Sequence, residues 1–376
     1  FNEKNDKIFR LTYVAKQDQK ALEADFVNEL ASGRGPDLII LPPEMIWNQR
    51  ERLYPIPYTV FPQRDFVDSF IDAGKIYLTP EAIMALPILV DPLVMYYNRD
   101  LVRGQGMAEP PKNWTKIIDI VPTFFSRDAN QNILRTSLAL GEFGNLDHAK
   151  DIFAMLLLQS ENPIINWGAS GKPQVFLNSV ELGGPESASA VFNFFNQFSD
   201  PAKTSYSWNS AMPSSRDFFS QGSSAFYLGL ASEFPLIKNK NPHLNFDVAL
   251  VPQKNEIKKL TYAQLSGVAG ARSAKSPNDA LAVARALSLG DFASDLITTL
   301  DYAPARLNLL ASPSTTDTTT PVFYKSAIIS KSWLDVEPAL SLKIFQENMT
   351  KLKTGQVNLR DSVTRMSAEL TASIKY

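Results

Sequence analysis

Two apolar runs, Leu86–Val90 and Leu93–Tyr97, each have the length of a buried strand, and Asp91-Pro92 separates them. The pattern predicts two strands joined by a bend. One segment then passes between two packing units, and a carboxylate at that crossing faces whatever lies between them, because burying it unpaired would cost several kcal/mol. Upstream, Gln17–Ser32 places Leu22, Phe26 and Leu30 on one helical face, with Gly33 as the stop. The unbroken apolar run Leu38–Leu41 suits a strand buried on both faces, and Ile8–Val14 reads as a strand before the helix. Strand, helix and strand in this space form a βαβ unit.

Pro42-Pro43-Glu44 ends the second strand, and Trp47 follows in a loop or a first helical turn. Asp65–Ala73 is a helix with Phe66, Phe70 and Ile71 on one side, and Pro110-Pro111 leads into a helix Thr115–Val121 capped by Thr115. Asp147–Leu158 is a further helix, and Ser187–Phe198 spaces Val191, Phe194, Phe195 and Phe198 for core packing. Trp208 precedes a polar stretch; a turn at Gly222 then separates a helix from the strand Ala225–Leu228. Strands Phe246–Pro252 and Ser266–Ala271 follow, Val251-Pro252 being a second crossing, and Asn278 caps a helix that ends at Leu289. Ser312–Thr320 is a Thr-rich loop, and from Ser341 the chain is helical, with Leu359, Val363, Met366, Leu370 and Ile374 on one face.

With 376 residues, 44% hydrophobic and 20% charged, the expectation is two domains. No linker separates them, so each is built from more than one segment. The net charge of −2 is dispersed, which excludes an electrostatic footprint for nucleic acid. Zero cysteines exclude disulfides and thiol chemistry, and His148 and His243 lack metal spacing and read as surface residues. No phosphate-binding loop, dinucleotide fingerprint or nucleophile elbow is present, and no apolar run approaches the ~18 residues of a membrane span.

Several segments in this order and spacing resemble the extracellular solute-binding proteins of ABC importers, in the carbohydrate-binding group that contains maltodextrin-binding protein. They are Ala31-Ser-Gly-Arg-Gly-Pro-Asp-Leu-Ile-Ile, Leu86–Leu101, Pro110-Pro-Lys-Asn-Trp-Thr, Phe219–Tyr227, Phe246–Pro252 and Ser276-Pro-Asn-Asp-Ala. The resemblance implies an α/β, two-lobed periplasmic-binding-protein fold of type II, its discontinuous lobes joined by hinge strands. Residues 1–90 and 253–303 would form the N-terminal lobe, and 91–252 and 304–376 the C-terminal lobe. By the same comparison the chain starts after the family's first strand, so it is expected to be the remnant of a longer one. The implied function is a receptor that captures a sugar or other polar small solute by hinge closure and delivers it to permease subunits. It would be a monomer, periplasmic or extracellular, without cofactor, metal or catalytic residues.

Family ligand positions fall on Glu44, on Asp91 at the hinge, on the turn Gly229, Leu230, Ala231 and Ser232, and loosely on Trp333. Leu230-Ala-Ser-Glu lacks the aromatic that maltodextrin-binding protein carries in that turn. Sugars need flat aromatics for their pyranose faces and carboxylates or amides for their hydroxyls. Trp47, Trp208 and Trp333 fit the first role, with core packing as the other reading; Glu44 either faces ligand or caps the helix after it. The alternatives to a transport receptor are a glycoside-acting enzyme using Glu44 and Asp91, or a surface-binding protein without transport.

Overall fold

The computed structural model describes residue 2 and residues 9–179, 184–299, 302–311 and 317–375. Ile8 and residues 312–316 of the expected Thr-rich loop lie outside them. The chain divides into two compact units, Phe1–Val90 with Gln264–Ala311 and Asp91–Ala263 with Ser312–Tyr376. The second passage falls inside the strand Thr261–Ala271, not at Val251-Pro252. The amide of Gln159 holds the loop before that strand in the second unit by donating to the carbonyls of Pro252 and Leu260. The third falls at Ala311, beyond 303/304, because Ala303 and Pro304 pair with Val90 and Leu89 in the first unit.

In the first unit the strand Leu38–Leu41 runs antiparallel to Thr261–Ala271, with Leu38 opposite Gly270 and Leu41 opposite Gly267. Ile39 and Leu41 are buried, but Ile40 is 43% exposed, so one face is open where burial on both was expected. No strand pairs with its outer edge among the described residues. Residues 9–14 form no strand either, and Tyr13 and Val14 are exposed. A strand persists through its ladder, and this segment has none. The helix Gln19–Ala31 that follows buries only Phe26 fully. Phe66, Phe70 and Ile71 are buried as their spacing predicts, although the helix around them is confined to Gln63–Ser69.

The segment Leu86–Asn98 is one continuous strand. What changes at Asp91-Pro92 is its partner: Leu89 and Val90 pair with residues 303–304, and Leu93–Tyr97 pair antiparallel with Phe226–Leu230. Pro92 has no N–H to donate and lies between Val90 and Leu93, the ends of those two ladders; the strand Thr261–Ala271 is a further neighbour of this segment.

In the second unit Phe246–Ala249 lies on the other edge of that strand, and Tyr96 stacks on Tyr227 at 5.8 Å between ring centroids. The helix Ala149–Gln159 is buried on nearly every side. Its Phe153 meets Phe192, Phe195 and Phe345, so the aromatics of the helix Gly184–Asn196 are core as expected. The helix Trp114–Phe124 is capped by Asn113 rather than Thr115, and Ser276 rather than Asn278 caps Pro277–Leu289. In both cases a side-chain oxygen must precede the first turn to reach the N–H groups two or three residues on. The C-terminal region is two helices, Pro338–Lys353 and Leu359–Ser373, broken at Gly355, whose φ of +71° is a left-handed turn.

Candidate functional site

Asp91 opens the second unit and is 5% exposed. One carboxylate oxygen accepts the backbone N–H of Ser232 at 3.0 Å, and the Ser232 side chain bonds it as well. Burial pushes its carboxyl up to about 6, against those bonds and the attraction of His148. The group is an acceptor poised near neutrality.

Ser232 belongs to the turn that leaves the strand Phe226–Leu230, and Glu233 beneath the turn fixes its shape. Glu233 Oε2 accepts from the Leu230 N–H at 3.2 Å and the Tyr227 hydroxyl at 2.8 Å, while Oε1 accepts from Arg216 at 2.8 Å. The Tyr96 hydroxyl donates to the Leu230 carbonyl at 2.6 Å. Gly229 is required here, since a Cβ would collide with Glu233 Oε2 and the Tyr227 ring. Burial alone would raise the Glu233 carboxyl, but His148, Tyr227 and Arg216 hold it below the usual range.

His148 is the correction that matters most. It is not a surface residue: its side chain is 21% exposed, with Nε2 at 3.2 Å from Glu233 and Nδ1 at 3.7 Å from Asp151. Burial works against its charge, yet the two carboxylates prevail and raise it to about 10. Asp147 beside it accepts from Ser214, Ser215 and the Arg216 N–H, which ties the approach to the helix Ala149–Gln159 to the segment that delivers Arg216. Farther along that helix start, Lys150 Nζ lies 2.6 Å from the buried Asp335, which Ser341 also contacts. The missed residues carried a signal: Asp147, His148, Lys150 and Asp151 crowd the start of a helix whose next residues are almost all apolar. Charges leading into a buried helix must be paired.

Trp333, two residues before Asp335, stacks on Phe345 at 5.8 Å and is buried. Its Nε1 and Oδ1 of Asp335 are buried atoms without a hydrogen-bond partner among the described residues. One is a donor and the other an acceptor. Trp208 is fully buried, edge-on to Phe218, with Nε1 donating to Asn145. It is a core residue with no open stacking face. Leu230 and Ala231 are buried too, so Ser232 is the part of the turn that remains half-exposed. In the first unit Glu44 is the first residue of the helix Glu44–Gln49, whose cap position is held by Pro43, so it is an acidic residue of the first turn and not the cap; Trp47 is buried in that helix under the Arg50 guanidinium at 3.7 Å. The structure therefore brings together Asp91, Gly229–Ser232, His148, Arg216 and Glu233, with Asp335 reached through the helix start.

Among the described residues no group of three or more His, Asp or Glu side chains is arranged to hold a metal ion, and no helix is long and apolar enough to cross a membrane.

No family model and no curated protein matches this sequence. Solved structures do. A cyclo/maltodextrin-binding protein complexed with maltotetraose aligns over 100% of this chain and 92% of its own, with TM-score 0.79 and 14% identity. The sugar-binding protein MalE of Xanthomonas citri aligns over 99% and 92%, with TM-score 0.74 and 16% identity. A solute-binding protein of an ABC transporter from Thermotoga lettingae, bound with α-D-tagatose, aligns over 94% and 89%, with TM-score 0.66 and 15% identity. Taken with the two units and the strands that pass from one to the other, these likenesses identify the fold of this chain as that of the sugar-binding receptors of ABC importers.

Proposed function

We propose that this chain is the substrate-binding receptor of an ABC importer, capturing a sugar by hinge closure and delivering it to permease subunits outside the cytoplasm. The observation that carries the reading is the polar set of the second unit. Asp91 and Ser232 offer an acceptor and a hydroxyl, and Trp333 Nε1 and Asp335 Oδ1 are left with unused bonding capacity. Buried polar atoms without partners are costly, and sugar hydroxyls, each both donor and acceptor, suit them. The fold supports it, since solved structures that share the fold hold maltotetraose and tagatose. Contacts that form only in a closed state would bias the chain toward that state by their differential free energy.

The set also argues for binding without turnover. Asp91 is 5% exposed and bound to a backbone N–H, which suits holding a hydroxyl. Isothermal titration against oligosaccharides, polyols, amino acids and polyamines tests the reading. A sugar should bind at a 1:1 ratio and be recovered unchanged after long incubation. Silence across the panel from folded protein would overturn receptor function, and hydrolysed product that Asp91→Asn abolishes would replace it with glycoside chemistry.

A further inference from the structure

We propose that His148 is a positioning residue for the ligand acceptor Asp91: as a cation wedged between Asp151 and Glu233 it locks the Gly229–Glu233 turn and holds the Asp91 carboxylate in its ionised, hydroxyl-accepting form. The proposal rests on the reading of Asp91 as a ligand group.

The backbone gives the first reason. His148 occupies the cap position of the helix Ala149–Gln159 with φ 57° and ψ 28°, the left-handed region, and its side chain makes no capping bond. A side chain other than glycine held there is strained, and the conformation persists where the surroundings require it. What the surroundings require is the imidazole between two carboxylates, 3.2 Å from Glu233 and 3.7 Å from Asp151. The second reason is the chain of bonds leading onward. Glu233 accepts the Leu230 N–H, and two residues later the Ser232 N–H reaches Asp91. If His148 is lost, Glu233 keeps Arg216 and Tyr227 but loses one of its cations.

Charge is the third. The charged or titratable groups facing Asp91 are His148 from the helix start, Glu233 from the turn and Tyr96 from its own strand. His148 faces Asp151 and Glu233; Asp335, paired with Lys150, acts on Asp151 from behind, and Arg216 and Asp147 stand beyond Glu233. Of these groups, His148 favours the ionised form of Asp91 and Glu233 opposes it, beside the two bonds from Ser232.

The test uses three proteins: wild type, His148→Asn and His148→Lys. Asn tolerates the left-handed backbone, so the change isolates the imidazole, and Lys restores the charge. In ligand-free protein, the carboxyl carbon resonance of Asp91, assigned through Asp91→Asn, is followed from pH 4 to 9. Its midpoint should rise by roughly one unit in His148→Asn and return toward wild type in His148→Lys. Affinity for a panel sugar that binds should fall about fivefold at pH 6 in His148→Asn and recover above pH 8, where Asp91 is ionised regardless. An unchanged Asp91 midpoint, or an affinity loss equal at every pH, would overturn the proposal and leave His148 as packing. If no sugar binds the wild type, the receptor reading fails while the ligand-free titration still decides the role of His148.

Discussion

Replacing Asp91 with Asn should raise thermal stability at pH 7 while weakening sugar binding at least tenfold. The Asp91 carboxyl is raised in the folded chain to about 6 from 3.8, so its stability contribution is fully present below the unfolded value and is lost as pH rises through about 6. A neutral amide escapes that loss, of about 3 kcal/mol at most, and can still accept the Ser232 N–H. Melting curves at about pH 3.5 and pH 7 check it: the variant's advantage should appear mainly at the higher pH. Gly229→Ala should cost about 1–3 kcal/mol in urea unfolding, because the added carbon meets Glu233 and Tyr227, both pinned by hydrogen bonds. At this scale the sequence was partly legible. Asp91 stood out as a polar break between apolar runs, and the Gly229–Ser232 turn only through the family resemblance. His148 did not, since its partners Glu233 and Asp151 come from distant and near positions that only folding unites. Trp47 and Trp208 took the packing alternative that the sequence left open, since a polar neighbourhood in sequence says little about what meets the ring.

Elements were more legible than the bonds that start and stop them. Apolar spacing located the helices Ala149–Gln159, Gly184–Asn196 and Leu359–Ser373, because burial of one stripe or of a whole helix leaves that pattern in the residues themselves. Caps were displaced by two residues, to Asn113 and Ser276, since Ser, Thr and Asn compete for the role and geometry decides among them. Asn113→Ala should therefore lower stability by about 1 kcal/mol, whereas Thr115→Ala should change it by less than about 0.5 kcal/mol, as chemical denaturation of the two variants would show. The break expected at Asp91-Pro92 illustrates a different limit. Proline announced a missing donor, and the strand runs on through it with different partners on either side. Sequence shows that a ladder bond is absent, not how the absence is used.

On the scale of the whole molecule, the order of weak motifs carried the two-unit α/β fold, while the boundaries shifted because loops follow their hydrogen bonds and not the nearest proline. Sugar binding should raise the melting temperature with the logarithm of free sugar concentration, with ~2.7 kcal/mol of added stability at a hundredfold excess over the dissociation constant. The strand Leu38–Leu41 adds a property of another kind. Its outer edge carries no ladder among the described residues and Ile40 projects beside it, a short apolar template for intermolecular pairing. A concentrated sample is thus a colloidal problem before it is a folding one: light scattering should show slow, concentration-dependent self-association of protein whose melting temperature is unchanged. Ile40→Lys, which places a gatekeeper charge on that edge, should suppress the scattering without altering sugar affinity, and equal scattering from both proteins would put the sticky surface elsewhere.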